Sequence, residues 1–495
     1  MPPWDGRPLS ALESSAMEEN AVALGLSLDS LMENAGRAVA EEVARHLPAP
    51  SAPVAIVAGT GNNGGDGFSA AYYLAQWGFA PEIWLARPSA EIRSRPARRC
   101  FERVERRARV HEEPPTAAAL GAVPLIVDAL LGTGQSGPLR PPYRTSVDAI
   151  VASAVPVLSI DLPTGVGGAG AVRPRWTVAL TTRKDGMNPE SCGEIVVRDI
   201  GIPAEAWRRT GPGEFVFYRA RAMAKDRGRD ARVVVVGGGP YAGAPGLAGL
   251  AALRTGAERA TVISPRGAAE SVQAFGPDLV VRAIGTGAFA PEDTGPILDF
   301  LREARPRAVV LGMGVGRTAP TLAAMGALIR GIPPEIPTVV DADALGALGE
   351  PIARGRTVLA TPNAGEFARV FQGRGGASLS EALETARSIA SGRGISLFVK
   401  GEPDLLAHET DAFQNFHHHI AQTVSGVGDI VAGVLGSLLA QGLTAPHAMR
   451  LASYWVGDAG IRAAGRKGMG LIASDVLDEL PNSLVAGLDR IARLG

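Results

Sequence analysis

A short apolar run, then a glycine-rich turn, then a helix: this pattern recurs along the chain and limits its fold more than any other feature. The runs at 54–58, 82–85, 125–129, 157–160 and 177–180 are short, mostly apolar and strand-like. That is what strands covered on both sides look like. Strands alternating with helices imply a parallel sheet with helices on both faces. The pattern restarts at 232–236, after a stretch of mixed charge from 219 to 232. Further strand candidates follow at 260–263, 308–311, 338–340, 358–359 and 397–399, and a long helix runs from about 430 to 441. The two halves share no common register, so two different α/β domains are expected, over 1–215 and 225–495. Before the first strand, residues 10–47 read as helical, with Leu28, Leu31, Met32, Ala35 and Val39 at helical spacing.

Composition closes off other classes. The 495 residues are 46% hydrophobic and 20% charged, enough to bury large cores and too apolar for disorder. A net charge of −1 supplies no field for nucleic acid. Cys100 and Cys192 are the only cysteines, which excludes a disulfide framework and favours a reducing, cytoplasmic setting. The opening MPPWDGRPLS lacks the build of a signal peptide, and no apolar run reaches membrane-spanning length, so no membrane association is expected.

Three polar turns of the first half lie at strand ends, where ligands bind in open parallel sheets. In GTGNNGGDGF (59–68), glycines allow the backbone to approach a ligand, and the following helix start favours an anion. By itself such a loop is only a hint of a phosphate site, with a tight strand-to-helix turn as the alternative, but Asn62, Asn63 and Asp66 make it more specific than glycine alone would. GTGQSG (132–137) fits the dinucleotide fingerprint G-x-G-x-x-G, but that fingerprint normally opens a domain, and here a βα unit precedes it. In SIDLPTGV (159–166), Asp161 alone would read as an Asx turn.

Taken together with LMENAG (31–36), VDALLGTGQSGP (127–138) and KDGM (184–187), these stretches resemble the epimerase domain of the NAD(P)H-hydrate repair family. The resemblance implies a Rossmann-like three-layer α/β domain. It implies that Asn62, Asn63, Gly64, Gly65 and Asp66 bind the hydrated cofactor together with Gly132, Thr133, Gly134, Gln135, Ser136, Gly137 and Pro138. Asn63, Asp128 and Thr164 would hold a potassium ion, Thr164 standing where relatives often carry Ser. Asp161 would contact the damaged nicotinamide ring and act as the catalytic base.

In the second half, TVSGVGDIVAGVLGSLLAQGL (423–443) places a glycine turn and Asp429 at the head of an apolar helix, a possible anion hole with a base. Asp429 alone would read as a helix cap. The companions are GGGPYAGAPGLAGLAALRTGA (237–257), GMGVG (312–316), VVDADAL (339–345), TPNAGEF (361–367) and VKG (399–401). This set resembles the ribokinase-like dehydratase domain of the same family, which uses a nucleotide to phosphorylate the hydrate and then expels phosphate. The resemblance implies Asp429 as base, Gly426, Gly428, Lys400 and Gly401 at the nucleotide, and Ala244, Gly314, Asn363 and Asp429 at the substrate, with magnesium and ADP or ATP. ADP is the donor expected of microbial fused forms. Relatives usually carry His at Asn363, Gly at Ser425, Thr at Val427 and Thr at Asp404, and the domain entry is blurred in KDRGRD (225–230).

Other features read more plainly. His417, His418 and His419 are adjacent and lack the spacing of metal ligands. The basic run 93–109 contains Glu102 and Glu105 and fits a solvated helix. A ribokinase-like vitamin or sugar kinase and a non-catalytic scaffold are the competing functions; YAGAPGLAG and TPNAGEF argue against the first, and Asn63, Asp128 and Asp161 against the second. A homo-oligomer is expected from relatives alone.

Overall fold

The structure, a computed structural model, describes residues 7–47, 49–133, 137–223, 230–349, 351–353, 355–373, 378–409 and 411–494. It divides into two compact units, 1–206 and 207–494. The division falls before the expected boundary at 215 because residues 207–223 pack onto the second unit. Thr210 N donates to Gln414 O at 2.9 Å, Glu214 pairs with Arg450 at 2.9 Å, and Phe215 sits edge-on to Trp455.

In the first unit, seven strands form one sheet: β1 (Pro53–Ala58), β2 (Ala80–Leu85), β3 (Arg109–His111), β4 (Ile126–Ala129), β5 (Val157–Ile160), β6 (Trp176–Leu180) and β7 (Glu194–Arg198). The order is β3-β2-β1-β4-β5-β6-β7, and every pair is parallel. The order reverses between β1 and β4, so a crevice opens there at the carboxyl ends of the strands. The expected helical stretch 10–47 is two helices, Ala11–Ala23 and Leu28–His46. Gly25, at φ 100°, breaks it, and the Ser27 side chain caps the second helix by accepting from Ser30 N.

The second unit has a nine-stranded sheet: β8 (Arg232–Val236), β9 (Arg259–Pro265), β10 (Val280–Ile284), β11 (Ala308–Leu311), β12 (Thr338–Val340), β13 (Val358–Ala360), β14 (Ser396–Val399), β15 (Asp404–Ala407) and β16 (Ala412–Asn415). The order is β10-β9-β8-β11-β12-β13-β14-β15-β16, with antiparallel pairing only from β14 to β16. The switch here lies between β8 and β11. Helix Val427–Ala440 is buried at every residue from Ile430 onward, which is why its sequence is apolar all round. Small residues let it approach its neighbours: a Cβ on Gly433 would lie 2.1 Å from Ala248 O of helix Gly243–Arg254.

Candidate active sites in the two units

The glycines of 59–68 serve packing more than ligand approach, contrary to the sequence expectation. Gly64, Gly65 and Gly67 lie inside helix Asn62–Gln76 and are buried. An added Cβ would meet Gly59 O at 2.0 Å, Met32 Sδ at 2.5 Å and Ala129 Cβ at 2.6 Å respectively. Gly65 N is also spent on Gly61 O. What faces outward is the helix start: Gly61 caps it without a side chain, Asn62 is exposed, and the first-turn N–H groups lack helical acceptors. Asn63 lies beside Gly132, whose added Cβ would sit 3.2 Å from the amide oxygen. Its Nδ2 is buried with no hydrogen-bond partner among the described residues.

Asp128, at the end of β4, is fully buried and organises the neighbouring turn. Its carboxylate accepts from Thr164 Oγ1 (2.7 Å), Thr164 N (2.9 Å), Ser159 Oγ (2.9 Å) and Leu130 N (3.3 Å). Burial raises its pKa against the pull of these bonds. Gly132, Thr133 and Gly137 together with Leu162, Pro163 and 165–168 line a cleft of about 310 Å³. Gly134, Gln135 and Ser136 lie outside the described residues. The turn from β4 does not lead straight into a helix; the next one begins at Tyr143, so the strand–turn–helix context of a dinucleotide fingerprint is absent.

Asp161 follows β5 in a left-handed conformation, φ 63°, and its carboxylate is paired with the buried Lys184 ammonium. Two more acids share this field. Glu18 of helix Ala11–Ala23 is exposed to solvent but lies within this field, where Asp161 and Lys184 act on it in opposite directions. Asp66 is raised well above the usual carboxylate range by burial, then by Asp161 and Glu18. Sequence reasoning missed Glu18 and Lys184. KDGM had marked the second as part of a motif; nothing distinguished Glu18 from its helix neighbours.

In the second unit, the turns after β8 and β11 lock together. Gly238 N donates to Met313 O at 2.9 Å, and a Cβ on Gly314 would lie 2.2 Å from Tyr241 O. Gly314 also has φ 71°, so two independent reasons demand glycine there. Ala244 stands in the first turn of helix Gly243–Arg254, below the exposed Tyr241. Next along the sheet, Asp341 is buried after β12 and accepts from Thr361 Oγ1 (2.6 Å) and Lys400 Nζ (2.7 Å). Burial works against the Lys400 ammonium, but Asp341, Glu366 and Asp429 outweigh it and raise its pKa.

Lys400 Nζ lies against the glycine turn, since a Cβ on Gly428 would be 3.0 Å away. Gly426, at φ 99°, heads helix Val427–Ala440 with no side-chain cap, which leaves its N–H groups for an anion. Asp429 in the first turn is pushed up to about 7 by burial and by Asp341, with Lys400 opposing. Asp341 is a third residue that sequence reasoning missed, although VVDADAL contained it.

Two of the departures find partners. Asn363 caps helix Ala364–Phe371: its side chain accepts from Glu366 N at 2.9 Å, and Glu366 returns a bond to Asn363 N at 3.0 Å. Asp404 turns inward, accepting from Ser453 Oγ (2.6 Å), Gly401 N (3.0 Å) and Asn415 Nδ2 (3.4 Å). It therefore organises the loop after Lys400 with an engaged carboxylate. Ser425 is exposed and Val427 half-buried. His417 stacks on Tyr454 and bonds Asp458 at 3.3 Å, and the His419 side chain accepts from Ala421 N. The basic run forms helix Arg95–Val104, with Arg99 and Arg103 paired to Asp29 and Glu33.

Comparison with known proteins matches both halves. A family model described as NAD(P)H-hydrate dehydratase covers 233–482, and one described as YjeF-related protein N-terminus covers 28–186. A bifunctional NAD(P)H-hydrate repair enzyme of Methanothermobacter thermautotrophicus is 34% identical, over 97% of this chain and 96% of that protein. One from Pyrobaculum aerophilum is 33% identical, over 96% and 97%. Among solved structures, a ribokinase-like superfamily protein of Enterococcus faecalis is similar at TM-score 0.48 and 18% identity, over 57% of this chain and 96% of that one. An ADP/ATP-dependent NAD(P)H-hydrate dehydratase of Bacillus subtilis, co-crystallised with ATP and magnesium, is similar at TM-score 0.47 and 21% identity, over 55% and 97%. With both units of α/β architecture and near-complete coverage of the relatives, the chain belongs to the bifunctional NAD(P)H-hydrate repair enzyme family.

Proposed function

We propose that this protein repairs hydrated NADH and NADPH: the first unit interconverts the R and S hydrates, and the second dehydrates the S form at the expense of ADP. The observation that carries this reading is that both polar clusters survive in one chain, Asp161 with Lys184 in the first unit and Asp429 with Lys400 and Asp341 in the second. In the second unit, Asp429 takes the proton of the hydrate hydroxyl as it attacks the terminal phosphoryl group. The N–H groups at Gly426–Gly428 and the Lys400 ammonium neutralise the charge that gathers on the phosphoryl oxygens. Phosphate then leaves the ring carbon far more readily than hydroxide would. Asn363 keeps an Nδ2 for the substrate while its oxygen caps the helix.

The residues at the first site fit a potassium ion. Asn63, Asp128 and Thr164 carry hard oxygen atoms, Asp128 brings buried charge, and the Asn63 amide oxygen faces the turn at Gly132. Bound there, potassium would supply positive charge beside the substrate. Magnesium would enter with the nucleotide, held largely by phosphate oxygens and water, with Asp341 and Asp429 as neighbouring carboxylates. The protein works in the cytoplasm as a homo-oligomer in this reading. Among the described residues, no helix is long and apolar enough to cross a membrane.

The test is repair itself. Mixed R and S NADH hydrate is given with potassium, magnesium and either ADP or ATP, and recovery of dihydronicotinamide absorbance is followed. Full recovery is expected with ADP. Recovery halting at the S fraction in Asp161→Ala and absent in Asp429→Ala would assign the two steps. No recovery with either nucleotide would refute the dehydratase half and leave an epimerase joined to a redirected kinase-like unit.

A further inference from the structure

Lys184 sits beside Asp161 in the first unit's polar cluster, and no chemical step has been given to it so far. It is 4% exposed, and its ammonium donates to Asp161 Oδ1 and to Leu180 O. The backbone is bent to bring the two side chains together. Asp161, just past β5, and Thr181, just past β6, are both left-handed, at φ 63° and 68°, a conformation non-glycine residues adopt mainly where surrounding structure imposes it. Each is the middle residue of a tight turn closed by a backbone hydrogen bond, Leu162 N to Ile160 O and Thr182 N to Leu180 O, both at 2.8 Å, a strained form of turn, and the buried Thr181 hydroxyl has no partner among the described residues. A third tie comes from Leu9, whose N donates to Arg183 O (3.0 Å) and whose O accepts from Asp185 N (2.9 Å). It fastens the start of helix Ala11–Ala23, which carries Glu18, beside the lysine turn. A buried ion pair is a poor source of stability compared with apolar packing. Strain at two strand ends, spent on holding one such pair in a ligand crevice, points to chemistry.

We propose that Lys184 is a catalytic residue of the epimerising unit, acting as acid where Asp161 acts as base, on the two heteroatoms bonded to C6 of the hydrate ring. The assignment rests on the epimerase reading above. C6 carries a hydroxyl and the ring nitrogen N1. Asp161 takes the hydroxyl proton and the freed electron pair forms a C6=O bond. The C6–N1 bond breaks with its pair going to N1, and Lys184 gives N1 a proton. The product is an open-chain aldehyde with an enamine N–H. Rotation about C5–C6 turns the other face of the carbonyl to N1, which attacks it. N1 returns its proton to Lys184, and the C6 oxygen takes its proton back from Asp161. No atom is gained or lost and nothing is oxidised. An acid and a base in direct contact suit two atoms on one carbon, whereas exchanging water across the ring would need groups on opposite faces.

The test uses the full chain, purified R hydrate and potassium, without nucleotide, in water enriched in oxygen-18. R-to-S conversion is followed by chromatography and mass. The wild type is expected to epimerise with its original C6 oxygen retained in early turnovers. Lys184→Met should lower kcat by on the order of a hundredfold or more with KM unchanged. Lys184→Arg should fail equally, since a guanidinium keeps the charge but does not release a proton. Near-wild-type activity in Lys184→Arg would overturn the proposal, leaving Lys184 an electrostatic partner. A loss confined to KM would also overturn it, the lysine then serving structure. One oxygen-18 per epimerisation in the wild type would overturn the ring-opening step. A wild type that does not epimerise would refute the epimerase reading itself, and this assignment with it.

Discussion

Replacing Asp429 by Asn should make the second unit more stable and inactive at once. The wild-type carboxyl is pushed up to about 7, from an ordinary 3.8, first by burial and then by Asp341, against the pull of Lys400. A carboxyl raised in the folded state binds its proton more tightly there than in the unfolded chain. Stability therefore falls as pH rises from about 4 to about 7 and stays low above that. At ~1.4 kcal/mol per unit, the full displacement caps the loss at ~4 kcal/mol, and solvent at this half-buried site should reduce it to ~1–3 kcal/mol. Asn is neutral and nearly the same shape, so Asp429→Asn escapes the loss. Calorimetry of the full chain should show the second unit's transition several degrees higher in Asp429→Asn at pH 8. The advantage should shrink toward pH 4. Dehydration should fall by roughly a hundredfold or more, and in the wild type its acid limb should bend near pH 7, because only the ionised carboxylate accepts the proton. An unchanged or lowered transition at pH 8, or a wild-type rate flat between pH 5 and 8, would refute the reasoning.

Asp341→Asn removes the acid that raises Asp429 and frees Lys400 to act on it; both changes move the acid limb to lower pH, by about one unit, which a kcat–pH profile would read. Gly433→Ala places a methyl group against Ala248 O, 2.1 Å from the added carbon, and should cost ~1–3 kcal/mol of second-unit stability in calorimetry while leaving R-to-S conversion intact. Asp128→Asn puts an amide nitrogen where buried donors now point, so first-unit stability should fall by ~2–5 kcal/mol and potassium-dependent stabilisation of that unit should disappear. Val427→Thr adds a hydroxyl to the glycine turn at the head of helix Val427–Ala440 and should lower KM for the nucleotide without shifting the acid limb.

Some of the site was legible and some was not, for identifiable reasons. Asp161 and Asp429, each at a turn after an apolar run, alone read as a turn residue and a helix cap; resemblance to family motifs singled them out, and Asp128 and Thr164 with them. Glu18 is one glutamate among several on a helix that buries polar and apolar residues alike, and the Leu9 tie to the lysine turn is a contact no local pattern announces. Strands β3, β7, β10, β15 and β16 escaped notice because they are short or lie at or near a sheet edge, with polar or charged positions, such as Arg282 in β10, that break the apolar signal. The glycines at 64, 65 and 67 looked like a ligand cradle. A glycine that lets helices touch and one that admits a ligand are written with the same letter, and only the neighbours at Met32, Gly59 and Ala129 separate them.

By itself, the sequence determined the two-domain α/β fold and the family, and pointed to the carboxyl-end turns as candidate places for chemistry, because periodicity and motif spacing are local properties of the chain. Which charges act together was decided by tertiary structure: Lys184 against Asp161, Lys400 between Asp341 and Asp429, Asp404 turned toward Ser453. Coulomb interactions and desolvation depend on distances across strands far apart in sequence, and no local pattern encodes those distances.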